Sequence, residues 1–269
     1  MIFCHALLFG ALSDRSCPSY VHERVIFLRI DFHSHILPKM DDGSSSTQES
    51  VKILQILAKS GVERVVLTPH FYRQNEDIGT FLERRKSSYE RLLETVKATD
   101  GLPGLALGAE VYFYQSLSSD HDFERLCIEG TDCVLLELPF ERFYDSFFGS
   151  FSSFMNRCGT KIILAHAERY FRFGNTVDDL KRLMENGNIT CQMNCASIAE
   201  AGIFKVKGLM EMILNGMVSV IGTDAHNLSD RPPLYGKAES VIRKKCGNDA
   251  FERICENSEK IFGGSFFYG

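Results

Sequence analysis

The sequence predicts an α/β fold built as a parallel, closed or nearly closed barrel. Two observations carry this prediction. Seven short apolar or β-branched runs, at 25–33, 62–70, 105–112, 133–139, 161–168, 189–194 and 218–226, alternate with amphipathic stretches. The metal-capable side chains of the chain also recur at the ends of these runs, where the βα loops of a parallel barrel build active sites.

The first run, Val25 to Ile30, leads into "DFHSH" and then "DDG". Residues two apart on a strand point to one side, so His33 and His35 are expected to converge, with Asp42 looping back near them. The next stretch, "TQESVKILQILAKSG", places Val51, Leu54, Leu57 and, less regularly, Ile56 on an apolar helical side. Ser46 and Thr47, with Glu49 and Ser50 behind them, form a capped start, and Gly61 ends that helix. Further helices are predicted over 79–98, 176–186, 205–215 and 234–246.

The second strand, "VERVVLTPH", ends at His70; the third, "LALGAEVY", carries Glu110; the fourth, "CVLLELP", carries Glu137. The fifth, "KIILAHAE", ends with His166, the sixth, "ITCQMN", with Asn194, and the seventh, "VSVIGTDAH", with Asp224 and His226. Each residue alone has a plain structural explanation. Glu137 suits a buried paired carboxylate, His70 after Pro69 a strand terminus, and Asp224 a helix cap. The same coincidence at six strand ends is a much poorer account than one shared metal site.

The set comprises five histidines (33, 35, 70, 166, 226) and four carboxylates (42, 110, 137, 224), too many donors for one ion and suited to two or three. Nitrogen and oxygen donors without thiolate fit Mn²⁺, Fe²⁺ or Zn²⁺. Three divalent ions would outweigh the four carboxylates and favour an anionic substrate such as a phosphate monoester, with water activated as nucleophile. Arg169 and Arg231 follow His166 and His226 closely; solvated surface positions are the ordinary reading of arginine, but beside metals they suit a clamp on phosphoryl oxygens.

Composition excludes several classes. The chain has 269 residues, 44% hydrophobic and 24% charged, with a formal net charge of −5. That balance lacks the basic face of a nucleic-acid binder, and no run is long enough to cross a bilayer. Nine cysteines, an odd number without a CxxC pair, fit free thiols in a reducing cytoplasm. None has arginine six positions later, so the Cys-x5-Arg loop of thiol-dependent tyrosine phosphatases is absent, as is a GxxxxGK loop. "MIFCHALLFGALS" faintly resembles a signal peptide but has no positive start. Residues 1–24 are read as an extension outside the core, with no role for His5 or His22, and 25–269 as one domain.

"DFHSH…DDG", "TPH", "GAEVY", "AHAERY" and "TDAHNLSDRPP", in this order, resemble the polymerase-and-histidinol-phosphatase (PHP) superfamily. The last two resemble in particular its bacterial manganese-dependent protein-tyrosine phosphatases of capsule and exopolysaccharide clusters. Covering about residues 30–262, the resemblance implies a distorted seven-stranded (β/α) PHP barrel with a trinuclear centre, most simply of Mn²⁺. It implies one ion held by His33, His35, Glu110 and Asp224, with Glu110 bridging to a second held by Glu137 and His166. A third would be held by Asp42, His70 and His226, while Arg169 and Arg231 match phosphate-binding arginines. The implied substrate is a phosphotyrosine-bearing bacterial tyrosine kinase that controls polysaccharide export, met in the cytoplasm. A phosphatase of a small metabolite such as histidinol phosphate uses the same metal face and is the nearest alternative. A non-catalytic regulatory barrel and a metal-dependent nuclease are more distant ones, the first disfavoured by the intact ligand set and the second by the acidic composition.

Overall fold

In the computed structural model, residues 27–114, 117, 122–185 and 188–263 are described. The proposed extension, residues 1–24, lies outside them. The elements in chain order are β1 (Arg29–Asp31), α1 (Thr47–Lys59), β2 (Val62–Leu67), β3 (His70–Phe71), α2 (Ile78–Val96), β4 (Gly104–Leu107) and β5 (Glu110–Tyr112). They continue with β6 (Cys133–Glu137), α3 (Asp145–Cys158), β7 (Lys161–Leu164), α4 (Val177–Met184), β8 (Ile189–Asn194), α5 (Cys195–Ala199), α6 (Ile203–Leu214), β9 (Val218–Gly222), α7 (Tyr235–Cys246) and α8 (Asn248–Ile261).

Every strand pair is parallel. The strands form two sheets, β1-β2-β4 and β3-β5-β6-β7-β8-β9. Two of the seven expected strands are therefore interrupted. The run 62–70 breaks at Thr68-Pro69 into β2 and β3, because proline has no N–H to continue the ladder. The run 105–112 breaks at Gly108-Ala109 into β4 and β5, and the two breaks lie side by side: Gly108 donates to Leu67 O and Glu110 to Pro69 O.

Among the described residues no regular ladder joins β1 to β9, but a seam does. Phe32 N donates to Ile221 O at 3.2 Å, Asp224 N to His33 O at 2.7 Å and His35 N to Ala225 O at 2.9 Å, with an isolated parallel bridge between Ser34 and Ala225. Asp31 reinforces it, accepting from the Thr223 N–H at 2.8 Å and the Thr223 hydroxyl at 2.6 Å. Burial lifts the Asp31 carboxyl to about 6 against these hydrogen bonds, which favour its ionised form.

Apolar side chains fill both faces of the sheets. Ile30, Phe32, Val66, Ala106, Leu135, Ile163, Ala165 and Val220 form an inner cluster, into which Phe262 packs from beyond α8. The larger cluster lies with the helices and takes in Leu54 and Leu57 of α1 and Phe151 and Phe154 of α3. Helix α1 starts as expected, with the Ser46 hydroxyl accepting from Glu49 N, but Ile53 takes the buried position and Ile56 is 39% exposed. One turn of α-helix is 3.6 residues, which groups Ile53 with Leu57 and turns Ile56 outward. Helices α3, α5 and α8 are additional to those predicted. Seven described cysteines are free thiols, and no helix among the described residues is long and apolar enough to cross a membrane.

Candidate metal centre

Backbone continuity explains how the site is assembled. Glu137 extends the inward face of β6 that Cys133 and Leu135 begin, since strand side chains repeat every two residues. His70 and Glu110 open β3 and β5 and sit opposite one another in register, immediately after the paired breaks. His33, His35, His166, Asp224 and His226 lie just beyond their strands, on the loops that leave the same end of the barrel. At His166 and Asp224 the backbone turns through the left-handed region, with φ of +34° and +53°. Neither is glycine, and such backbone strain collects at functional sites.

All nine predicted metal residues come together. Glu110 is the centre: its Oε2 lies 3.0 Å from His70 Nδ1, 3.1 Å from His35 Nε2 and 3.2 Å from His33 Nε2. Its Oε1 lies 2.8 Å from His166 Nε2, which is 3.3 Å from Glu137 Oε1. The Nε2 atoms of His33 and His35 are 3.0 Å apart, with Asp224 Oδ1 at 3.6 and 3.4 Å from them. Asp42 Oδ1 stands 3.3 Å from His226 Nε2 and 3.6 Å from His70 Nε2.

Among the described residues, three sets of side chains each bring their donor atoms within 4.8 Å of one another: His33, His35 and Asp224; His35, Asp42, His70 and His226; and His70, Glu110 and Glu137. This grouping overlaps the one implied by resemblance but is not identical to it. His35 and His70 each stand between two groups, and His166, in none of the three, lies against Glu110 and Glu137 with its ring 5.7 Å from that of His33.

Several side chains that the sequence reading did not assign orient the donors. Asp41 accepts from Gly43 N through Oδ1 and from His70 N through Oδ2, which also lies 2.8 Å from His35 Nδ1. Gln192 Oε1 accepts from His166 N at 2.8 Å and lies 3.2 Å from His33 Nδ1. Its amide donates to Asn194 Oδ1, and the Asn194 amide donates to Asp224 Oδ2 at 2.7 Å. Holding Nδ1 in this way turns the Nε2 atoms of His33 and His35 toward the cluster. The available signals were local: Asp41 adjoins Asp42, and Gln192 shares a strand face with Asn194.

Both arginines reach the cluster. Arg169 Nη2 donates to Asp224 Oδ2 and Arg231 Nη2 to Asp224 Oδ1, each at 2.6 Å, and Arg231 Nη1 lies 2.6 Å from His226 Nε2. Their guanidinium groups are half-buried, at the rim.

Electrostatics follow from this crowding. Burial alone would raise the Glu110 and Asp224 carboxyls, yet the imidazoles around them, with Arg169 beside Asp224, hold both well below the usual range. Burial would likewise depress His35, but Asp41 and then Glu110 lift it to about 10; His166 is lifted to about 9 by Glu110 and Glu137. His226, disfavoured by burial, His35 and Arg231, falls to about 4.

These residues fit divalent ions on their own chemistry. Three imidazole nitrogens converge on Glu110 Oε2, a buried oxygen that among the described residues accepts no properly directed hydrogen bond, and His166 Nδ1 likewise has no partner among them. Buried polar atoms are rarely left so. Carboxylate and imidazole donors aimed at common points, without thiolate, suit Mn²⁺, Fe²⁺ or Zn²⁺.

Among known proteins, a tyrosine-protein phosphatase CpsB of Streptococcus pneumoniae is 28% identical over 240 residues, covering 86% of this chain and 97% of the relative. The tyrosine-protein phosphatase YwqE of Bacillus subtilis is 26% identical over 242 residues, covering 86% and 91%. A solved structure, from work describing B. subtilis YwqE and S. pneumoniae CpsB as unique metal-dependent tyrosine phosphatases, superposes with a TM-score of 0.73 at 23% identity. It covers 89% of this chain and 96% of that one. The family model for capsular polysaccharide synthesis, CpsB/CapC, matches residues 29–263, and the chain belongs to that family.

Proposed function

We propose that this protein is a metal-dependent phosphomonoesterase that hydrolyses phosphotyrosine on a bacterial tyrosine kinase regulating capsular or exopolysaccharide synthesis. The single observation that carries the reading is Glu110, whose buried Oε2 has three imidazole nitrogens at 3.0, 3.1 and 3.2 Å while Arg169 and Arg231 stand at the rim. Relatives named tyrosine-protein phosphatases that align along nearly their whole length support the substrate class.

In this reading His33, His35, Asp42, His70, Glu110, Glu137, His166, Asp224 and His226 hold two or three divalent ions, most simply Mn²⁺. Ions bound there supply Lewis acidity and a water nucleophile at neutral pH. Arg169 and Arg231 bind and orient the phosphoryl oxygens through paired N–H donors, a planar geometry that lysine does not reproduce. Tyrosine is a fairly acidic leaving group, with a pKa of about 10, so a strong general acid is not required. Encounter with the kinase takes place in the cytoplasm.

The test compares Mn²⁺-loaded protein on a phosphotyrosine peptide and on histidinol phosphate, with chelated protein as the control. The expected result is hydrolysis of the peptide, its loss on chelation, and a markedly lower kcat/KM for histidinol phosphate. Arg169→Ala and Arg231→Ala should keep their metal while losing about two to three decades of kcat/KM. Activity that survives verified metal removal would refute the reading, and a preference for histidinol phosphate would reassign the substrate.

A further inference from the structure

Two βα connections beside the cluster carry exposed aromatic rings. Phe140, on the loop after β6, remains 36% exposed, and Phe173, in the short 3-10 turn after His166, 41% exposed. The rings stack on each other with centroids 5.3 Å apart and planes 21° from parallel. Phe140 also lies 5.5 Å from the His166 ring and 5.8 Å from the ring of buried Tyr170. The pair therefore stands at the rim of the site, on the side of His166 and Glu137.

A single exposed phenyl ring is ordinary on a protein surface. This pair is held in place. The Tyr170 hydroxyl accepts from Leu138 N at 2.8 Å, and Asn175 Oδ1 accepts from Phe143 N at 2.8 Å. The Asn175 amide donates to Glu141 O at 2.8 Å, and Arg142 Nη1 donates to Gly174 O at 2.6 Å. These bonds strap the loop after β6 to the segment after β7 on both sides of Phe140, so the rings are positioned before any ligand arrives. Such pre-organisation removes an ordering cost from binding.

We propose that Phe140 and Phe173 form a wall against which the phenyl ring of an aryl phosphate packs when its phosphoryl group sits on the cluster. The wall makes the site selective for aryl over alkyl phosphates. This rests on the phosphomonoesterase reading above. The occupant follows from reach: a ring joined through one oxygen to phosphorus at the cluster lies within a few ångströms of it, and Phe140 is an exposed aromatic ring packed on a cluster imidazole. The other nearby pair, Tyr72 and Tyr112, borders His70, with the Tyr72 ring 5.2 Å from the His70 ring and its hydroxyl 3.4 Å from His70 Nδ1, and is the alternative wall that the test separates.

Calorimetric titration of Mn²⁺-loaded full-length protein with phenylphosphonate and methylphosphonate tests this, since the two share a head group and differ in the ring. Phenylphosphonate is expected to bind about 5–10-fold more tightly. In the Phe140→Ala/Phe173→Ala double variant the ratio should fall to about 1–2, and in Phe140→Tyr/Phe173→Tyr it should be retained, with unchanged melting temperatures marking intact folds. A ratio that persists in the alanine variant, or that is lost instead in Tyr72→Ala, overturns the wall while leaving phosphotyrosine hydrolysis in place. Wild-type protein that binds neither phosphonate and hydrolyses no phosphotyrosine overturns the phosphatase reading and the wall with it.

Discussion

Asp41 governs which nitrogen of His35 faces the cluster. Its Oδ2 lies 2.8 Å from His35 Nδ1 and accepts from His70 N, while its Oδ1 accepts from Gly43 N. A carboxylate accepts at all three contacts, which keeps a proton on His35 Nδ1 in the imidazolium and the neutral ring alike, so that Nε2 is the nitrogen that would give up its proton to a bound ion. An asparagine retaining the bond from Gly43 N would point its amide donors at His35 Nδ1 and His70 N, favouring the wrong tautomer. Asp41→Asn should therefore lower Mn²⁺ affinity by about 10–100-fold with little change in far-ultraviolet circular dichroism. Calorimetric titration with Mn²⁺ checks this, and unchanged affinity would remove Asp41 from the orienting role. The contrast with Asp42 explains what sequence conveys at this scale. Donor residue types at loop positions were legible because the same chemistry recurred on strand after strand. The partner that fixes a tautomer was not, because Asp41, Gln192 and Asn194 act through hydrogen-bond direction, which residue type alone does not encode.

At the scale of elements, the alternation of apolar runs and amphipathic stretches was readable, and β8 falls at its predicted bounds. The interruption of two strands was less so, since "VERVVLTPH" is one apolar run and only Pro69 marks the place where the ladder stops. Helix α3 was hidden by composition: Gly149 and several serines dilute its helical propensity, while Phe148, Phe151, Phe154 and Met155 supply the buried stripe through tertiary packing. Glycine positions separate constraint from tolerance among these elements. At Gly222, the end of β9, an added Cβ would lie 2.5 Å from His33 Cβ and 2.8 Å from His33 N. At Gly208, exposed within α6, it would meet nothing within 4 Å. Gly222→Ala should cost about 1–3 kcal/mol and weaken metal binding by displacing His33. Gly208→Ala should stabilise by about 0.5–1 kcal/mol through helix propensity. Urea denaturation of both variants measures the pair of values, and a neutral Gly222→Ala would show that the close approach of β9 to His33 relaxes without penalty.

For the whole molecule, a join that lacks a regular ladder coincides with the candidate metal centre. Between β1 and β9 there is one isolated bridge, three backbone hydrogen bonds and the Asp31–Thr223 clamp, in place of a regular ladder. His33 and His35 leave one side of that seam, and Asp224 and His226 leave the other. Ions held by these four side chains would tie the first strand to the last, while Glu110 and Glu137 extend the tie across β5 and β6. Binding to the folded chain alone stabilises it by mass action, about 2.7 kcal/mol at a free ion concentration 100 times the dissociation constant. For a chain of this size that corresponds to a rise of about 5–10 °C in melting temperature over chelated protein, increasing with Mn²⁺ concentration. Calorimetric melts across a Mn²⁺ series test the global effect. Amide hydrogen exchange tests where it arises: His35 N and Asp224 N, which donate across the seam to Ala225 O and His33 O, should gain protection when Mn²⁺ is added. Exchange that slows uniformly, or a melting temperature indifferent to Mn²⁺, would separate the cluster from the closure of the barrel.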